Sequence, residues 1–495
     1  MNQEDERYLP EKAPIIIVQP GYATGDMFAI AATMINNKKY HVLISTTMDN
    51  DGNAKDPYDN SKAIIEFYRS SGIHQDRIHP VSVDGMRSPG QASLLKKQAI
   101  SLVRPYGIPV GEITRNYYKP VGEGTQYIAR NFSETMRSEL RNAWDINESQ
   151  DKAIKIWLET QGIPTSGKSL LILWSRFSGK GGDIHIEHDT SYWGIRQIIH
   201  RVADMYDAII ITGDKGYVKE RASKYDETAN LINKYYESGK VFNITEFWRG
   251  DSPKLKAWGG NTRLGQFKLY DYFQRHFDHV KHLGFRSGNL EVMAMLGYKV
   301  RYMEEEGSES GSRMTIWFNK GDGETVEGGK ATGYERLLLR EPPTRSGKYI
   351  QYQINEINRN TNEKTRPLAE ELNTLKNNGE SPESLSRIKE LEKRIKEINN
   401  EGEAQKKKYA GSDLAPYRKD DKPPAPISKK DKSIYSVGFS DVDMETIVEY
   451  LRPAGWVEIP MKYERRIPQN KKEYQERLND TESSYRDDRD KWMKN

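Results

Sequence analysis

Short aliphatic runs alternate with amphipathic stretches along the first 340 residues of this 495-residue chain. The aliphatic runs predict strands at 14–18, 41–45, 77–83, 169–174, 208–212, 241–244 and 299–303. The amphipathic stretches predict helices at 27–34, 62–69, 132–161, 192–205, 226–238, 265–279 and 289–296. Strands that alternate with helices form parallel sheets covered by helices, so the pattern predicts an α/β fold. Because it restarts near Gly162, we expect two tandem Rossmann-like domains, at residues 1–165 and 166–340.

Residues 341–495 differ from the front of the chain in charge and in pattern. They contain 31 Lys and Arg and 29 Asp and Glu, about 39% of the segment, against about 26% in residues 1–340. The boundary falls at Glu341-Pro342-Pro343, because consecutive prolines end regular structure. Aliphatic residues at helical spacing predict a helical hairpin at about 368–400, and a Pro- and Lys-rich stretch predicts a linker at 420–432. We therefore expect a charged, mainly helical C-terminal appendage with a small packed unit at 434–463, suited to docking a protein partner or to self-association.

Composition excludes several classes of protein. The chain has no cysteine, which excludes disulfides, thiolate nucleophiles and cysteine-ligated zinc. It has no run of about 18 apolar residues that would predict a membrane span, and the polar start MNQEDERYLPEK lacks the apolar segment of a secretory signal. A net charge of +4 over this length gives no reason to expect a nucleic-acid partner. We therefore expect a cytoplasmic protein.

The segment from Gly162 to Ser169 matches the letters of a phosphate-binding P-loop, GxxxxGK[ST]. A P-loop needs a strand before it and a helix after it, so that helix-end N–H groups face the phosphates. Here a helical segment precedes the motif and an aliphatic strand follows it. The context therefore indicates an interdomain connection and not a nucleotide site.

A glycine-rich turn with an acid follows the first predicted strand, at Gly21-Tyr-Ala-Thr-Gly25-Asp26. Glycines permit a tight strand-to-helix turn, and ligands of open α/β sheets bind at the carboxyl ends of strands. Asp26 therefore either faces a ligand or caps the following helix. The turn lacks GxGxxG, which argues against an NAD-type dinucleotide site.

Cations and glycines follow the first strand of the second domain, in Ser175-Arg176-Phe-Ser-Gly-Lys180-Gly-Gly. Arginine binds oxyanions in a planar, bidentate manner and lysine acts as a point charge, so this loop suits a diphosphate. The alternative is a basic loop in solvent. The next strand ends at Asp214, which we also place at this edge of the sheet.

The segment Arg286-Ser287-Gly288-Asn289-Leu-Glu291 begins the helix that precedes the last predicted strand of the second domain. A helix N-terminus that contains a glycine favours phosphate, because its N–H groups are unpaired and its dipole is positive. Glu291 in the first turn either accepts hydrogen bonds from ribose hydroxyls or complements the helix dipole.

Two other groups of residues look like metal-binding motifs, but each has a simpler structural explanation. His276, His279 and His282 recur every three residues within the predicted helix 265–279 and its end, where their side chains would drift around the helix, so we expect no metal site. Asp441-Val-Asp443 resembles the DxD metal motif of GT-A glycosyltransferases, but no nucleotide-binding unit precedes it, and we expect it to begin a helix.

Taken together, RSGNLEVMAMLG before a strand, GYATGDMF after the first strand and the Arg176–Lys180 loop resemble GT-B glycosyltransferases, in particular heptosyltransferase- and fucosyltransferase-like members. The resemblance covers about residues 13–310. It implies a nucleotide-sugar donor on the second domain, an acceptor on the first, inversion at the sugar carbon, and Asp26 as the general base. The His-x-Arg-Arg pattern of fucosyltransferases is absent, and residues 341–495 have no counterpart.

These observations predict transfer of a sugar from a nucleoside-diphosphate donor to an acceptor hydroxyl. The donor is a substrate, so no cofactor is expected. The donor-side group is Gly25, Ser175, Arg176, Lys180, Asp214, Arg286, Ser287, Gly288, Asn289 and Glu291. Because cations and a helix dipole would stabilise the leaving diphosphate, we expect no metal. The acceptor stays open between a glycan, a lipid and a protein. Two alternatives remain, a non-catalytic nucleotide-binding module of a toxin, immunity or sensor system, and a nucleotide-sugar epimerase or hydrolase.

Overall fold

The computed structural model describes residues 13–49, 51–176, 190, 192–214, 219–236, 239–306, 325–326, 330–331, 334–340, 347–377, 381–410, 439 and 441–453. Two separate parallel sheets dominate this part of the chain, which confirms the predicted α/β fold. A short antiparallel pair, β10 (Thr325–Val326) with β11 (Lys330–Ala331), forms a separate two-stranded sheet.

The first sheet has four parallel strands in the order β3-β2-β1-β4. Its strands are β1 (Ile15–Gln19), β2 (Tyr40–Thr46), β3 (Ile78–Ser82) and β4 (Tyr118–Lys119). The helices between residues 20 and 165 are α1 (Met27–Asn36), α2 (Ser61–Ser70), α3 (Gln91–Val103), α4 (Val110–Glu112), α5 (Glu123–Asn131), α6 (Glu134–Ala143) and α7 (Asp151–Thr160). Short 3-10 or π turns lie at Gln75–Arg77, Arg104–Tyr106, Ile113–Tyr117 and Glu148–Gln150. The single helical stretch predicted at 132–161 is wrong in one respect: it is divided where Asp145 takes a left-handed backbone, with φ of 50°.

The second sheet has six parallel strands in the order β12-β9-β8-β5-β6-β7. Its strands are β5 (Gly167–Ser175), β6 (Ala208–Gly213), β7 (Val241–Asn243), β8 (Phe277–Phe285), β9 (Val300–Glu305) and β12 (Tyr334–Leu339), while β10 (Thr325–Val326) and β11 (Lys330–Ala331) form the separate pair. Its helices are α8 (Tyr192–Val202), α9 (Lys219–Tyr236), α10 (Pro253–Lys256), α11 (Gln266–His276) and α12 (Gly288–Met295), with 3-10 turns at Ala203–Met205 and Phe247–Arg249. Strand β5 begins inside the P-loop-like motif, which confirms that no helix follows it.

The prediction of a helix at 265–279 is wrong in its last turn, because a strand begins at Phe277. Helix α11 ends at His276, and β8 continues to Phe285 between β5 and β9. His279 and His282 therefore lie on a strand, and the three histidines share no helix. The three-residue spacing of the histidines suggested a helix. The polar residues of β8 interrupt the apolar run that is typical of a central strand, although β8 pairs with a strand on each side.

Alternate side chains of the strands point into different cores. Leu171 and Leu173 of β5 pack into one core with α8 and α9, whereas Leu170, Ile172 and Trp174 point into another. That second core is shared, because it also contains Ile17 and other apolar residues of the first sheet and of α1, α2, α5, α6, α11 and α12. The two sheets are thus joined by one continuous apolar region, and the boundary at residue 165 stays a prediction.

A network of ion pairs around one buried carboxylate spans the junction between the sheets. Asp271 of α11 pairs with Arg141 of α6 (Oδ1 to Nη2, 2.6 Å) and with Arg275 (Oδ2 to Nε, 2.9 Å). Tyr298 donates to the same Oδ1 at 2.6 Å, and Arg275 also pairs with Asp151 of α7. Since the Asp271 side chain is only 1% exposed, this network is held in a medium of low polarity.

The highly charged segment begins with a helical hairpin. Helices α13 (Gly347–Asn377) and α14 (Pro382–Ala410) pack side by side, so the hairpin is longer than the predicted 368–400. Ion pairs Lys376–Glu392 (2.7 Å) and Arg387–Glu371 (2.8 Å) join the two helices near the turn. The predicted linker at 420–432 lies outside the described residues. In the described part of the chain, no helix has the length and apolarity needed to cross a membrane.

Part of the small unit predicted at 434–463 packs against the second sheet, while residues 454–463 lie outside the described residues. Helix α15 (Asp441–Leu451) contacts α8 and β12, and its apolar side chains enter the core on that side. Gln197 of α8 holds the backbone of Phe439 by accepting from its N–H (2.7 Å) and donating to its carbonyl (3.3 Å). Asp443 is buried and accepts a hydrogen bond from the N–H of Arg340 (2.7 Å), so it has a structural contact in α15.

His282 makes stability depend on pH. It is wholly buried, Trp174 Nε1 donates to its Nδ1 (3.1 Å), and burial lowers the pKa of His282 to about 3. In the unfolded chain the His282 imidazole binds a proton near pH 6.5, whereas in the folded chain it does so only near pH 3. The free energy of unfolding therefore decreases as the pH falls from about 6.5 toward 3. We expect this residue to account for about 2 kcal/mol of lost unfolding free energy between pH 6.5 and pH 5. Denaturant unfolding of His282→Gln should show lower stability at pH 7 and a flatter pH profile; parallel profiles would contradict the assignment.

Candidate functional site

The turn after β1 holds Asp26 beside a buried polar pair. Asp26 occupies the N-cap position of α1, is half-buried, and makes no side-chain capping hydrogen bond to that helix. Burial raises the pKa of Tyr68 well above its usual value, and the charge of Asp26 raises it further. The Tyr68 hydroxyl donates to Gln19 Oε1, and Gln19 Nε2 donates to the carbonyl of Ala23 (3.0 Å). Gln19 and Tyr68 thus support the turn that carries Asp26.

The two glycines of this turn have different surroundings. A Cβ on Gly21 would lie 2.3 Å from the carbonyl oxygen of Ser45, so this position requires glycine for a close approach of two strands' ends. The N–H of Gly21 also donates to Ser45 Oγ (2.8 Å). Gly25 is exposed, and a Cβ there would meet nothing within 4 Å. The base of the turn is therefore fixed, while its tip at Gly25 has open space on its Cβ side.

The ends of β5 and β6 are tied together. Ser175 is buried, its Oγ donates to the carbonyl of Asp214 (2.6 Å), and it also bonds the hydroxyl of Tyr225 (2.8 Å). The N–H of Asp214 returns a bond to the carbonyl of Ser175 (2.9 Å). Gly213 has φ of 92° and approaches Ser175 so closely that a Cβ would lie 2.1 Å from its carbonyl oxygen. Ser175 thus fixes the backbone from which the Arg176 loop departs.

Arg176 reaches across the sheet to the second cationic segment. Its Nη1 donates to the carbonyl of Arg286 (2.9 Å), and its N–H donates to Thr190 Oγ1 (2.9 Å). The structure therefore brings together the loop after β5 and the loop after β8, which are 110 residues apart in sequence. Lys180 lies outside the described residues.

Arg286 has a carboxylate partner that the sequence did not predict. Its Nε lies 3.3 Å from Oε1 of Glu304, a wholly buried residue of β9, and Arg336 Nη1 lies 4.0 Å from the other oxygen. A buried carboxylate needs such partners, because an isolated charge is costly in an apolar medium. Arg286 is therefore held by an ion pair to a buried strand residue.

Helix α12 begins with a capped first turn at the same edge. Ser287 Oγ accepts from the N–H of Leu290 (3.2 Å), so this hydroxyl serves as the helix cap. Gly288 and Asn289 are half-buried at the helix start, while Glu291 is only 2% exposed in this conformation. A ribose contact by Glu291 stays a prediction.

The two candidate segments meet at Gly25 and Gly288. A Cβ on Gly288 would lie 2.2 Å from the carbonyl oxygen of Gly25, and helices α1 and α12 are in contact. The turn that carries Asp26 therefore lies against the N-terminus of α12. This approach places the predicted acid and the predicted anion-binding helix end on either side of one junction between the sheets.

Among the described residues, no group of three or more acidic or histidine side chains is arranged to hold a metal ion. The pairs that the sequence singled out are separated, since His276 stacks on Tyr272 and His282 is buried against Trp174.

Comparison with known proteins gives similarity at the level of solved structures. No family model and no curated protein matches the chain. The glycosyl transferase family 9 structure from Veillonella parvula is 9% identical, with a TM-score of 0.27 over 66% of this chain and 85% of its own. The structure of Anabaena HepE, in complex with UDP and glucose, is 12% identical, with a TM-score of 0.29 over 65% of this chain and 87% of its own. We assign its chemistry from the site itself.

Sequence reasoning missed Gln19, Tyr68 and Glu304, which hold the predicted residues in place. Gln19 and Glu304 each follow an aliphatic or aromatic strand segment as a buried polar residue. Such a polar position at the carboxyl end of a parallel strand is a usable signal, because burial of a polar group requires a partner. Tyr68 is hidden in an amphipathic helix and gives no such signal.

Proposed function

We propose that the chain transfers a sugar from a nucleoside-diphosphate donor to an acceptor hydroxyl. The observation that carries the proposal is the contact between Gly25 and Gly288, because it puts Asp26 next to the start of α12. The junction thus combines a carboxylate from one sheet with arginines and a helix N-terminus from the other. That combination suits a reaction in which a proton leaves one substrate and negative charge grows on another.

In the proposed reaction, Asp26 accepts the proton of the acceptor hydroxyl as its oxygen attacks the anomeric carbon of the donor sugar. The bond from that carbon to the diphosphate breaks, and the nucleoside diphosphate leaves with the electron pair. Arg176, Arg286 and the N–H groups at the start of α12 stabilise the charge that develops on it. A direct displacement inverts the anomeric carbon. These residues supply positive charge themselves, so we propose that turnover persists in the presence of a chelator.

Donor binding tests this proposal directly. In a panel of UDP-, GDP-, ADP- and dTDP-sugars, we expect at least one to raise the Tm of the full chain and to bind measurably in calorimetry. Arg176→Ala should weaken that donor by about tenfold or more, and Arg176→Lys by less, because lysine keeps the charge but loses the planar contact. Arg359→Ala, an exposed arginine of the hairpin, is the matched control and should leave the Kd unchanged. If no donor binds the wild type, the transferase proposal fails.

Product analysis separates this function from its alternatives. A transferase releases nucleoside diphosphate faster when an acceptor is present, whereas a hydrolase does so equally with water. An epimerase changes the sugar without releasing nucleotide, and a non-catalytic module binds the donor without changing it.

A further inference from the structure

Two exposed tyrosines and an arginine form a cluster at the carboxyl edge of the first sheet. Tyr22 and Tyr58 are 39% and 45% exposed, so both rings reach solvent. The guanidinium carbon of Arg87 lies 5.4 Å from the ring centre of Tyr22 and 5.0 Å from that of Tyr58. These three residues, which we call the Tyr-Arg platform, come from the separate loops that follow β1, β2 and β3.

Hydrogen bonds hold the loops of the Tyr-Arg platform together. One carboxylate, Asp56, accepts from the N–H of Tyr58 (Oδ1, 2.8 Å) and from the N–H of Met86 (Oδ2, 2.8 Å), the residue before Arg87. The N–H of Asn60 donates to the carbonyl of Gly21 (3.0 Å), the residue before Tyr22. All three loops are therefore fixed by neighbouring backbone contacts, and the platform exists before any ligand binds.

The platform has the chemistry of a surface that binds an acidic sugar. Exposed tyrosine rings present apolar faces on which the C–H face of a pyranose packs, and their hydroxyls stay available to sugar hydroxyls. Within the described residues, Arg87 forms no ion pair, and its contacts are with the two rings. A guanidinium on aromatic faces keeps its N–H edges directed outward, where they bind a carboxylate or a phosphate in a bidentate manner.

Its position connects the platform to the reaction. Tyr22 and Asp26 belong to the same turn, between β1 and α1. A ligand seated on Tyr22 would therefore lie on the first-sheet side of the junction, opposite the arginines that we assign to the donor. That side must hold the acceptor if Asp26 takes a proton from it.

We infer that the Tyr-Arg platform binds the acceptor, and that the acceptor is a glycan with a negatively charged group. The rings of Tyr22 and Tyr58 hold a sugar face, and Arg87 holds the carboxylate or phosphate. The inference rests on the proposed transferase function, because it names the substrate class of the same site. It narrows the three acceptor classes left open by the sequence to one.

Binding of defined oligosaccharides to the full chain tests the inference. The probes are trigalacturonate, an oligosaccharide ending in mannose 6-phosphate, and neutral maltotriose, each titrated with and without the donor. We expect at least one anionic probe to bind about tenfold or more tightly than maltotriose, with a Kd that rises with salt. The carboxylate and phosphate probes tell which anion is preferred.

Three variants and one control locate the binding. Tyr22→Ala, Tyr58→Ala and Arg87→Gln should each weaken the anionic probe by about fivefold or more, and Arg87→Gln should remove its advantage over maltotriose. Tyr106→Ala removes another tyrosine of this domain with similar exposure, 40%, and should change nothing. Donor affinity should be unchanged in all four variants.

The outcomes are distinct from failure of the transferase proposal. Normal donor binding with no glycan binding, or with equal binding by the three variants, overturns the platform assignment alone. Equal affinity for maltotriose and the anionic probes overturns the charge assignment. Absence of donor binding in the wild type instead overturns the proposed function.

Discussion

Replacing Asp26 with asparagine should lower kcat by about 10²- to 10⁴-fold while leaving the donor Kd within about twofold. Asparagine has nearly the same size as aspartate, but its amide is not basic enough to take the proton from the acceptor hydroxyl. The donor contacts proposed for Arg176, Arg286 and α12 come from the other sheet, so they should survive the change. Release of nucleoside diphosphate in the presence of acceptor gives the rate, and calorimetry gives the Kd.

A second aspartate of the first domain provides the control. Asp76 is 61% exposed beside His74, before β3 and therefore at the amino edge of the sheet. Asp76→Asn should leave both kcat and Kd unchanged. Wild-type turnover in Asp26→Asn would remove Asp26 from the chemistry without affecting the donor assignment.

Replacing Asp271 with alanine should lower the free energy of unfolding by about 3–5 kcal/mol. The change leaves Arg141 and Arg275 close together without the carboxylate that lies between them, and it removes the acceptor of the Tyr298 hydroxyl. The cost is large because the Asp271 side chain is almost fully shielded from water. Chemical denaturation at pH 7 measures it.

Asp145 allows a paired carboxylate to be removed at an exposed site of the same junction. It pairs with Lys268 at 2.6 Å, but its side chain is 63% exposed. Asp145→Asn, which suits the left-handed backbone at this position, should therefore cost about 1 kcal/mol or less, because solvent screens exposed ion pairs. Equal losses in the two variants would show that burial does not set the strength of this network.

The strands that could be predicted are those with continuous aliphatic residues. Strands β1, β5 and β6 are buried on both faces, so their sequences contain only apolar residues over several positions. Strand β8 is equally central, but it carries Asp278, His279 and Lys281. His282 is accommodated there by a hydrogen bond from Trp174, 108 residues away, and no local pattern contains that partner.

The candidate site was predictable to a similar extent. The carboxyl ends of parallel strands share one edge, so glycines, acids and arginines after strands were expected to gather. The structure does join Arg176 to Arg286 and Gly25 to Gly288. Ser175 donates a hydrogen bond to the carbonyl of Asp214, and Glu304 forms an ion pair with Arg286. Such pairings between residues distant in sequence depend on the packed fold, so they could not be predicted.

The return of α15 to the second sheet has a consequence for how the chain is made. The last strand described in this sheet ends at Leu339, but Met444, Ile447 and Leu451 of α15 cover one of its apolar faces. At about 5–20 residues per second, a ribosome needs roughly 5–20 s more to add the intervening segment. During that interval the uncovered face is exposed to other nascent chains, while the charged hairpin is the next part to emerge. The second sheet therefore completes the packing of this face only after α15 has been synthesised.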